Sequence, residues 1–397
     1  MKAGTFNAAT PQGSLWLPIW AGLCASLVGI GLARFAYTPL IPVLIEAHWF
    51  SASAVVYLGA ANLAGYLIGA LGGRALAARW SSATVLRAMM LLVTLSFFAC
   101  ATPLSVAWFF GWRLASGIAG GVIMVLAAST VLPHVAPSRR GLASGAIFLG
   151  IGLAIAATGT LLPLLLAQGL TQTWLGLGLL ALLLTASSWF GWPLEHPHAA
   201  DDAGVAGRSR AVYLLFAQYA LMAVGLVAPM MFLVDYVTRG LGAGQHSGAL
   251  IWILYGVGAS IGPLVYGFLG DRLGAPAAIR VTLLVQFAAL GLLIGSSDLR
   301  VLGLAALVIG SFPPGIVPLA LTRVHELVAD HAGRHATWSR ATVSFATFQA
   351  LAGYAYSALF AGSHGHYALL FVVAGVAIVM ALLLELPNLL AARRVAA

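Results

Sequence analysis

The sequence predicts an all-α membrane protein with twelve transmembrane helices, and two features carry this prediction. First, 61% of the 397 residues are hydrophobic and only 7% are charged, whereas a soluble domain carries about 25% charged residues. Second, the apolar residues fall into runs of roughly 20, the length that an α-helix needs to cross the hydrocarbon core. With a mean hydropathy of +0.99, a soluble protein is excluded.

The apolar runs divide the chain into two sets of six. The first set covers residues 15–45, 52–73, 84–102, 104–130, 141–168 and 173–194. The second set covers 211–238, 247–270, 277–296, 301–323, 340–362 and 366–389. The longest interior polar stretch separates them and predicts a flexible linker. We therefore expect an N-terminal six-helix bundle over 1–194, a cytoplasmic linker over 195–210 and a C-terminal six-helix bundle over 211–397.

The basic residues are distributed unevenly over the loops, which predicts the orientation. With the N-terminus in the cytoplasm, fifteen of the nineteen Lys and Arg residues fall on the cytoplasmic side, and only Arg239 and Arg300 lie outside. Cytoplasmic loops of membrane proteins carry such an excess, so we expect both termini in the cytoplasm. The Arg-, Ala- and Gly-rich composition is typical of a high-GC bacterium, which predicts the bacterial cytoplasmic (inner) membrane.

Several other classes of function lack support. The net charge of +9 resides in short loops and not on one soluble face, so no nucleic-acid partner is expected. Cys24 and Cys100 lie inside apolar runs and are expected to be packing residues. Five histidines lie in or beside polar loops without a carboxylate set, so no metal site is expected: His325, His331, His335, His364 and His366.

No phosphate-binding loop ending in Lys-Ser or Lys-Thr is present, so an ATP-driven pump is unsupported. No nucleophile–base pair indicates an enzyme. We therefore expect no cofactor and no catalytic residue. The expected state is a monomer whose partners are a small-molecule solute and the lipid bilayer, with protons as a candidate coupling ion.

Two matches about 200 residues apart indicate an internal duplication. Gly69 to Arg74 (Gly-Ala-Leu-Gly-Gly-Arg) closes span two, and Gly267 to Arg272 (Gly-Phe-Leu-Gly-Asp-Arg) closes span eight, with four of six positions identical. A second match aligns the mouths of spans five and eleven: Arg140, Ser144, Ala146 and Phe148 with Arg340, Ser344, Ala346 and Phe348. Because each half has six spans, both start from the same side, and the repeats are parallel.

This architecture resembles the major facilitator superfamily of secondary transporters over the whole chain. The loop from Gly267 to Gly274 resembles the superfamily signature of Gly, spacer, Asp-Arg, spacer and Gly, and 113–121 is similar to its Arg-x-x-x-Gly-x-x-x-Gly pattern. The stretches 34–42 and 57–70 are similar to the YbfB/YjiJ-type branch. The resemblance implies alternating access around a cavity between the halves, lined by spans one, four, seven and ten.

Two arginines lie within spans. Arg34 stands about ten residues before the polar end of span one, roughly 15 Å at 1.5 Å per residue, which is too far to snorkel fully. A mid-membrane arginine costs roughly 2.5 to 3.5 kcal/mol, so it usually faces a wet cavity. Arg113 adds a second cation, and no mid-membrane acid is visible to neutralise the two. This combination favours an anionic solute such as a carboxylate.

The residues expected to line the cavity come from both halves: Arg34, Tyr37, Asn62 and Arg113 from the first, and Gln218, Tyr219, Pro313 and Pro314 from the second. In span ten, Gly310-Ser-Phe-Pro-Pro-Gly315 and Pro318 remove backbone donors. A helix break is expected there, either at a binding site or as a plain kink that shapes the bundle.

The resemblance implies a gate at the cytoplasmic face. Its residues would be Gly267, Asp271, Arg272 and Gly274 of the signature loop, with Arg139 and Arg140 of span five as the basic partners of Asp271. In the first half Gly73 replaces the expected acid. Glu326 or Asp330 is then the candidate partner for Arg340.

Asp235, near the outer end of span seven, is the candidate for ion coupling, because all other acids except Glu385 lie in predicted loops or cytoplasmic segments. Arg239 follows one turn later. An interfacial ion pair, worth a few tenths of a kcal/mol, is the alternative reading of this spacing.

The sequence as a whole predicts a secondary active transporter that moves a small organic, anionic solute. Export of hydrophobic or drug-like compounds is one alternative, which the two arginines disfavour. A non-transporting membrane sensor is another, which the lack of a soluble output domain disfavours.

Overall fold

A computed structural model describes residues 16–136, 139–193 and 209–385, and all regular secondary structure in these ranges is helical. The helices are α1 Trp16–Glu46, α2 Ala52–Arg79, α3 Ser82–Ala99, α4 Val106–His134, α5 Arg140–Leu166, α6 Leu170–Ser188, α7 Arg210–Gly240, α8 Gly244–Leu273, α9 Ala275–Gly295, α10 Leu299–Leu327, α11 His331–Gly362 and α12 Tyr367–Leu383.

These twelve helices correspond one to one to the twelve predicted spans. Ten of them, α1 to α10, are long and apolar enough to cross a membrane, α11 spans 32 residues and α12 is a shorter apolar helix of 17 residues. The predicted all-α fold is therefore confirmed. Most of the predicted linker, 195–208, lies outside the described residues, as do the residues from 386 onward.

Side-chain caps explain where several helices begin. The hydroxyl of Ser51 accepts a hydrogen bond from the backbone N–H of Ala54, and Ser81 does the same for Thr84. Each cap satisfies one of the backbone donors that a helix N-terminus leaves unpaired. Serine or aspartate caps open α4, α7, α10 and α11 in the same way.

Glycine stripes bring α2 against α4 and α8 against α10, as their four-residue spacing predicts. A Cβ on Gly65 would overlap the carbonyl oxygen of Leu114 in α4. In the second half a Cβ on Gly258 would overlap the carbonyl oxygen of Leu307 in α10. The small residues thus permit backbone-to-backbone contact, and the predicted packing role is confirmed.

The irregular helices are α1 and α7, and not α10. The α-helix of α1 gives way to a π-helix over Leu27–Phe35, a turn follows, and the α-helix resumes over Leu40–Glu46. A second π-helix, Tyr236–Gly240, closes α7, the counterpart of α1 in the second half. π-Helical segments occur frequently at functional sites.

The expected break in span ten is wrong, because α10 is continuous over Leu299–Leu327 with three prolines inside it. The close contacts of α8 account for this. A Cβ on Gly310 would overlap the carbonyl oxygen of Tyr255, and one on Gly262 would overlap that of Ser311. The α10 backbone is therefore held against α8 directly before the prolines, and neighbouring helices commonly compensate for proline in membrane helices.

The first six helices meet the last six near the end of the bundle at which α1 ends and α8 begins, which we call the gate end. Four hydrogen bonds cross between the halves there: Thr38 Oγ1 to the Met230 carbonyl at 2.9 Å, Ser357 Oγ to the Val56 carbonyl at 3.2 Å, Trp252 Nε1 to Thr158 Oγ1 at 3.2 Å, and Gln245 Nε2 to Glu46 Oε2 at 3.1 Å. We call the other end, where α1 begins and α12 ends, the termini end.

The contact between α5 and α8 runs from mid-bundle to the gate end. Gly152 lies against Ser260, and Gly159 lies against Ile253. Continued toward the termini end, this antiparallel register would pair Gly145 with Gly267, yet a Cβ added to either glycine meets no described atom within 4 Å. The two halves therefore touch at the gate end and separate toward the termini end.

Candidate functional site

The candidate site is centred on Arg34, which lies at the end of the π-helix of α1. Its Nη1 donates a hydrogen bond to Oε1 of Gln349 in α11 at 3.1 Å. Its guanidinium carbon lies 4.2 Å from the ring centroid of Tyr66 in α2. Tyr255 of α8 is close enough to interact electrostatically with it. Arg34 thus occupies the interface between the two halves and is half-buried there.

No described carboxylate neutralises Arg34. Three of the seven described carboxylates have basic partners: Asp235 with Arg239, Glu326 with Arg323 and Glu385 with Arg280. The other four cap helices, accept a hydrogen bond or are exposed: Asp298, Asp330, Glu46 and Asp271. A charge in a low-dielectric setting without a counterion is costly, so this site favours a ligand that brings a negative charge.

Aromatic rings extend from Arg34 toward the termini end. Tyr66, which lies under the Arg34 guanidinium, is within electrostatic range of Tyr219 in α7. The Tyr219 ring lies 4.5 Å from that of Phe345 and 6.2 Å from that of Trp338, both in α11. These rings form an aromatic wall on the side toward which the halves separate.

Arg113 has different surroundings from Arg34. It is 3% exposed, its Nη1 donates to the carbonyl of Ala33 at 2.7 Å, and its guanidinium carbon lies 4.2 Å from the ring centroid of Tyr37. Ala33 belongs to the π-helix of α1. Arg113 therefore supports the irregular backbone of α1 from within the first six helices.

Asn62 has a similar supporting position. Its Nδ2 lies 3.0 Å from the Ser116 hydroxyl, 3.3 Å from the Arg113 carbonyl and 3.4 Å from the Ala33 carbonyl. The amide thus ties α2 to α4 and to the π-helix. Tyr37 is also engaged, since its hydroxyl donates to the Val55 carbonyl at 2.8 Å. Of the four first-half candidates, only Arg34 makes its side-chain hydrogen bond to the other half of the molecule, whereas Tyr37, Asn62 and Arg113 bond within the first six helices.

The second-half candidates are divided. Tyr219 belongs to the aromatic wall, whereas Gln218 donates to the Ala381 carbonyl at 3.0 Å and to Oε1 of Glu385 at 3.1 Å. Gln218 therefore binds α12 and not the space around Arg34. Pro313 and Pro314 lie within the continuous helix α10.

Asp235 forms the ion pair with Arg239 that the alternative reading of its spacing predicts, and the pair is buried within the protein on the side of the carboxylate. The side chain is fully buried, and Arg239 donates to both of its oxygens, with 2.8 Å from Nη2 to Oδ2. The hydroxyl of Tyr367 donates to Oδ2 at 2.7 Å. The cluster joins α7 to α12 beside the second π-helix, and its carboxylate is fully engaged.

The predicted gate at the signature loop is not formed in this structure. Asp271 is exposed and has no ion pair or hydrogen bond to a described side chain, and Arg139 is exposed as well. The side chain of Arg140 lies outside the described residues. The halves separate at this end, so the Asp271 pairing stays a prediction for a state closed there. Gly267, Arg272 and Gly274 form the end of α8 and its cap.

The expectation that Glu326 or Asp330 pairs with Arg340 is wrong for this structure. Glu326 accepts from the backbone N–H of Ala275 at 3.1 Å and pairs with Arg323 at 2.8 Å. Asp330 caps its own helix through Gly333. Both carboxylates have nearer donors within α9 to α11, and Arg340 is exposed.

Sequence reasoning missed three residues around Arg34, namely Tyr66, Tyr255 and Gln349. Gln349 was detectable as an isolated amide inside a predicted span. Tyr66 belongs to the stretch that carries the branch resemblance, but nothing in the sequence places Tyr255 near Arg34. The site is therefore built from α1, α2, α8 and α11, and not from α1, α4, α7 and α10 alone. Within the described residues, no group of three or more His, Cys, Asp and Glu side chains could hold a metal ion.

Comparisons with known proteins agree with this architecture. The chain matches the family described as "Uncharacterised MFS-type transporter YbfB" over residues 26–386. Among solved structures, it is similar to a mutant form of the nucleoside transporter NupG with a TM-score of 0.73, 13% identity, and coverage of 92% of this chain and 98% of that chain. A search of curated proteins found no match. At this identity, the similarity to NupG establishes the fold alone.

Proposed function

Since this chain belongs to the YbfB family of major facilitator-type transporters, we propose that it is a secondary active transporter of a small organic anion. Arg34 binds the negative charge of the solute at the interface between the halves. One observation carries the proposal: no described carboxylate lies beside Arg34. Arg34 is nonetheless held in place by Tyr66 and Gln349. An anion replaces the missing counterion, and the planar guanidinium can grip a carboxylate through two hydrogen bonds.

The proposed mechanism is alternating access between the two halves. Contacts at the gate end and separation at the termini end support an assignment of this structure to the inward-facing state of a monomer in the bacterial cytoplasmic membrane, with both termini in the cytoplasm. The Asp271 pairing with Arg139 or Arg140 then belongs to the outward-facing state. We do not assign proton coupling to Asp235, since Arg239 and Tyr367 already occupy its oxygens.

Thermal-shift measurements on the purified protein test the charge preference. The probes share one skeleton and differ in charge: benzoate, benzamide and benzylamine, with succinate as a second anion and uridine as a neutral solute. A ligand that binds only the folded state raises the unfolding temperature by mass action. Stabilisation by at least one anion, and by neither benzamide nor benzylamine, is the expected result.

The Arg34→Gln variant links that preference to the site. Truncating one partner of a buried charge pair typically costs 2 to 5 kcal/mol, so anion affinity should fall roughly 30- to 4,000-fold. Arg300→Gln, an exposed arginine in the first turn of α10, is the matched control and should bind like the wild type. Preferential stabilisation by benzylamine, or wild-type anion binding by Arg34→Gln, would refute the proposal.

A further inference from the structure

One buried hydroxyl beside the candidate site has no partner. Tyr255 is 1% exposed, and its phenolic oxygen makes no hydrogen bond. Nearly all buried polar side-chain atoms in folded proteins find a partner, because an unpaired one costs free energy. The hydroxyl of Tyr255 is therefore available to a group that enters the site.

The Tyr255 ring is held in place independently of its hydroxyl. It stacks on Trp252 with a centroid distance of 4.7 Å and an interplanar angle of 19°. Trp252 is itself anchored across the interface by Thr158. On the backbone side, Gly310 of α10 lies directly against the Tyr255 carbonyl. A donor fixed in this way costs little further ordering when it binds a ligand.

The unpaired hydroxyl and the uncompensated cation belong to the same site. Phe35, the neighbour of Arg34 in α1, has its ring centroid 6.3 Å from that of Trp252, on which Tyr255 of α8 stacks. Arg34 and Tyr255 also lie within electrostatic range of each other. A carboxylate that accepts two hydrogen bonds from the Arg34 guanidinium therefore has a third donor nearby, the hydroxyl of Tyr255, which belongs to the other half of the molecule. Such a ligand satisfies the charge of Arg34 and the orphaned O–H of Tyr255 together.

The surroundings of these two groups are aromatic. Tyr66 lies under the guanidinium, Trp252 lies behind Tyr255, and Tyr219 and Phe345 continue the wall toward the termini end. Aromatic pairs prefer offset-stacked or edge-to-face geometry, which favours a flat ring over a puckered one of similar size. The site thus offers ring faces next to a carboxylate-binding pair.

We propose that the solute is an aromatic monocarboxylate, and that Tyr255 is a solute-binding residue whose O–H donates to the carboxylate held by Arg34. The ring of the solute lies along the aromatic wall formed by Tyr66, Tyr219 and Phe345. This inference rests on the proposed function, since it needs an anion at Arg34.

Matched pairs of acids test the class of solute. Benzoate, phenylacetate and 3-phenylpropanoate are compared with cyclohexanecarboxylate, cyclohexylacetate and 3-cyclohexylpropanoate, by titration calorimetry on the purified wild-type protein. Each pair has the same charge and the same chain length and differs in ring planarity. We expect at least one aromatic acid to bind about fivefold or more tightly than its cyclohexyl partner, within the range typical of aromatic pairing.

Tyr255→Phe tests the residue, because it removes the hydroxyl and keeps the ring. A hydrogen bond to a charged group is worth roughly a tenfold or greater change in affinity, so the aromatic acid should bind at least about tenfold more weakly. Tyr266→Phe is the matched control on the same helix, since its hydroxyl pairs with Ser311 at 2.9 Å outside the site. Its affinity should equal that of the wild type.

The outcomes separate this inference from the function on which it rests. Equal binding within every acid pair, or binding of succinate but of no aromatic acid, overturns the aromatic class while leaving anion transport intact. Wild-type affinity in Tyr255→Phe overturns the role of Tyr255. Unchanged anion binding in Arg34→Gln overturns the proposed function itself, and the inference with it.

Discussion

Each half of this protein has an arginine in a π-helix, and the two arginines have opposite surroundings. Arg34 lies near the end of the π-helix of α1, and Arg239 lies in the π-helix that closes α7. Arg239 has a carboxylate four residues earlier, Asp235, which it contacts through both oxygens. At the matching position before Arg34 the first half has Ile30. The second half thus neutralises its arginine within one helix, whereas the first half leaves its arginine to an external anion.

This difference indicates that Arg239 has a structural role and that Arg34 has a binding role. The Asp235–Arg239 pair, joined by Tyr367, fixes α7 against α12. Among the described residues, the direct contacts of Arg34 are instead an amide and a ring face, and both come from other helices. A neutralised arginine serves packing, while an arginine without a counterion can serve binding.

The sharpest way to break the comparison is to give Arg34 its own carboxylate. Ile30→Asp places an acid one turn before Arg34, as Asp235 stands before Arg239, and should occupy the guanidinium. Anion affinity should then fall about 30-fold or more, comparable to the loss of a buried charge partner. Titration calorimetry with the anion that most stabilises the wild type measures the loss.

Ile30→Asn is the control for Ile30→Asp, because it has nearly the same size and polarity without the charge. It should retain most of the affinity. A loss in Ile30→Asn as large as that in Ile30→Asp would show that polarity or packing at this buried position, and not neutralisation of Arg34, causes the effect.

The reverse experiment removes the acid from the second half. Asp235→Asn leaves the partly buried Arg239 without its counterion, and breaking buried ion pairs costs about 3 to 5 kcal/mol. Since Arg239 is 24% exposed, we expect the free energy of unfolding to fall by up to about 3 kcal/mol. A lower unfolding temperature measures this loss, and anion affinity should be retained. The double variant Asp235→Asn/Arg239→Gln should recover part of the stability.

The same variant examines ion coupling. We expect Asp235→Asn to retain proton-driven accumulation in proteoliposomes, if the wild type shows it, because the carboxylate is already occupied. Loss of accumulation with normal exchange of solute would instead identify Asp235 as the proton carrier and contradict a purely structural role for the Asp235–Arg239 pair.

A second comparison lies along one helix. Gly152 of α5 lies against Ser260 of α8, whereas Gly145, two turns toward the termini end, meets no described atom within 4 Å. Gly152→Ala inserts a methyl group into the contact between the halves, and overpacking of this kind costs about 1 to 3 kcal/mol. Gly145→Ala should leave this state unaffected, so cysteine accessibility at the gate end should rise in Gly152→Ala only. Equal behaviour of the two variants would contradict the separation of the halves at the termini end.

The sequence predicts helix number and helix contacts well because both depend on local patterns. Twelve apolar runs correspond to twelve helices, and the stripe of Gly65 and Gly69 indicates close packing of α2 because glycine spacing alone defines the smooth face. These properties need no knowledge of what lies on the other side of the helix.

The site was harder to predict because it depends on contacts between distant helices. Arg113 resembles Arg34 in sequence, yet Arg113 caps a carbonyl of the α1 π-helix. The prolines of α10 suggested a break, but packing against α8 keeps that helix continuous. Tyr255 gains its importance only from its position beside Arg34. A single sequence contains no record of such pairings.

The smallest predicted effect concerns the hydrogen bond between the two irregular helices. Thr38 lies in the turn after the π-helix of α1, and its hydroxyl donates to the Met230 carbonyl of α7 at 2.9 Å. Thr38→Val keeps the branched shape and removes this link between the halves. A net contribution of about 1 kcal/mol corresponds to a roughly fivefold shift of the equilibrium away from the state closed at the gate end.

Alkylation of a cysteine introduced at Gln245 should speed up accordingly in Thr38→Val, compared with the same cysteine in the wild-type background. Thr347→Val, whose hydroxyl bonds within α11, should leave that rate unchanged, and an equal acceleration in both variants would deny the Thr38 bond any role in the gate.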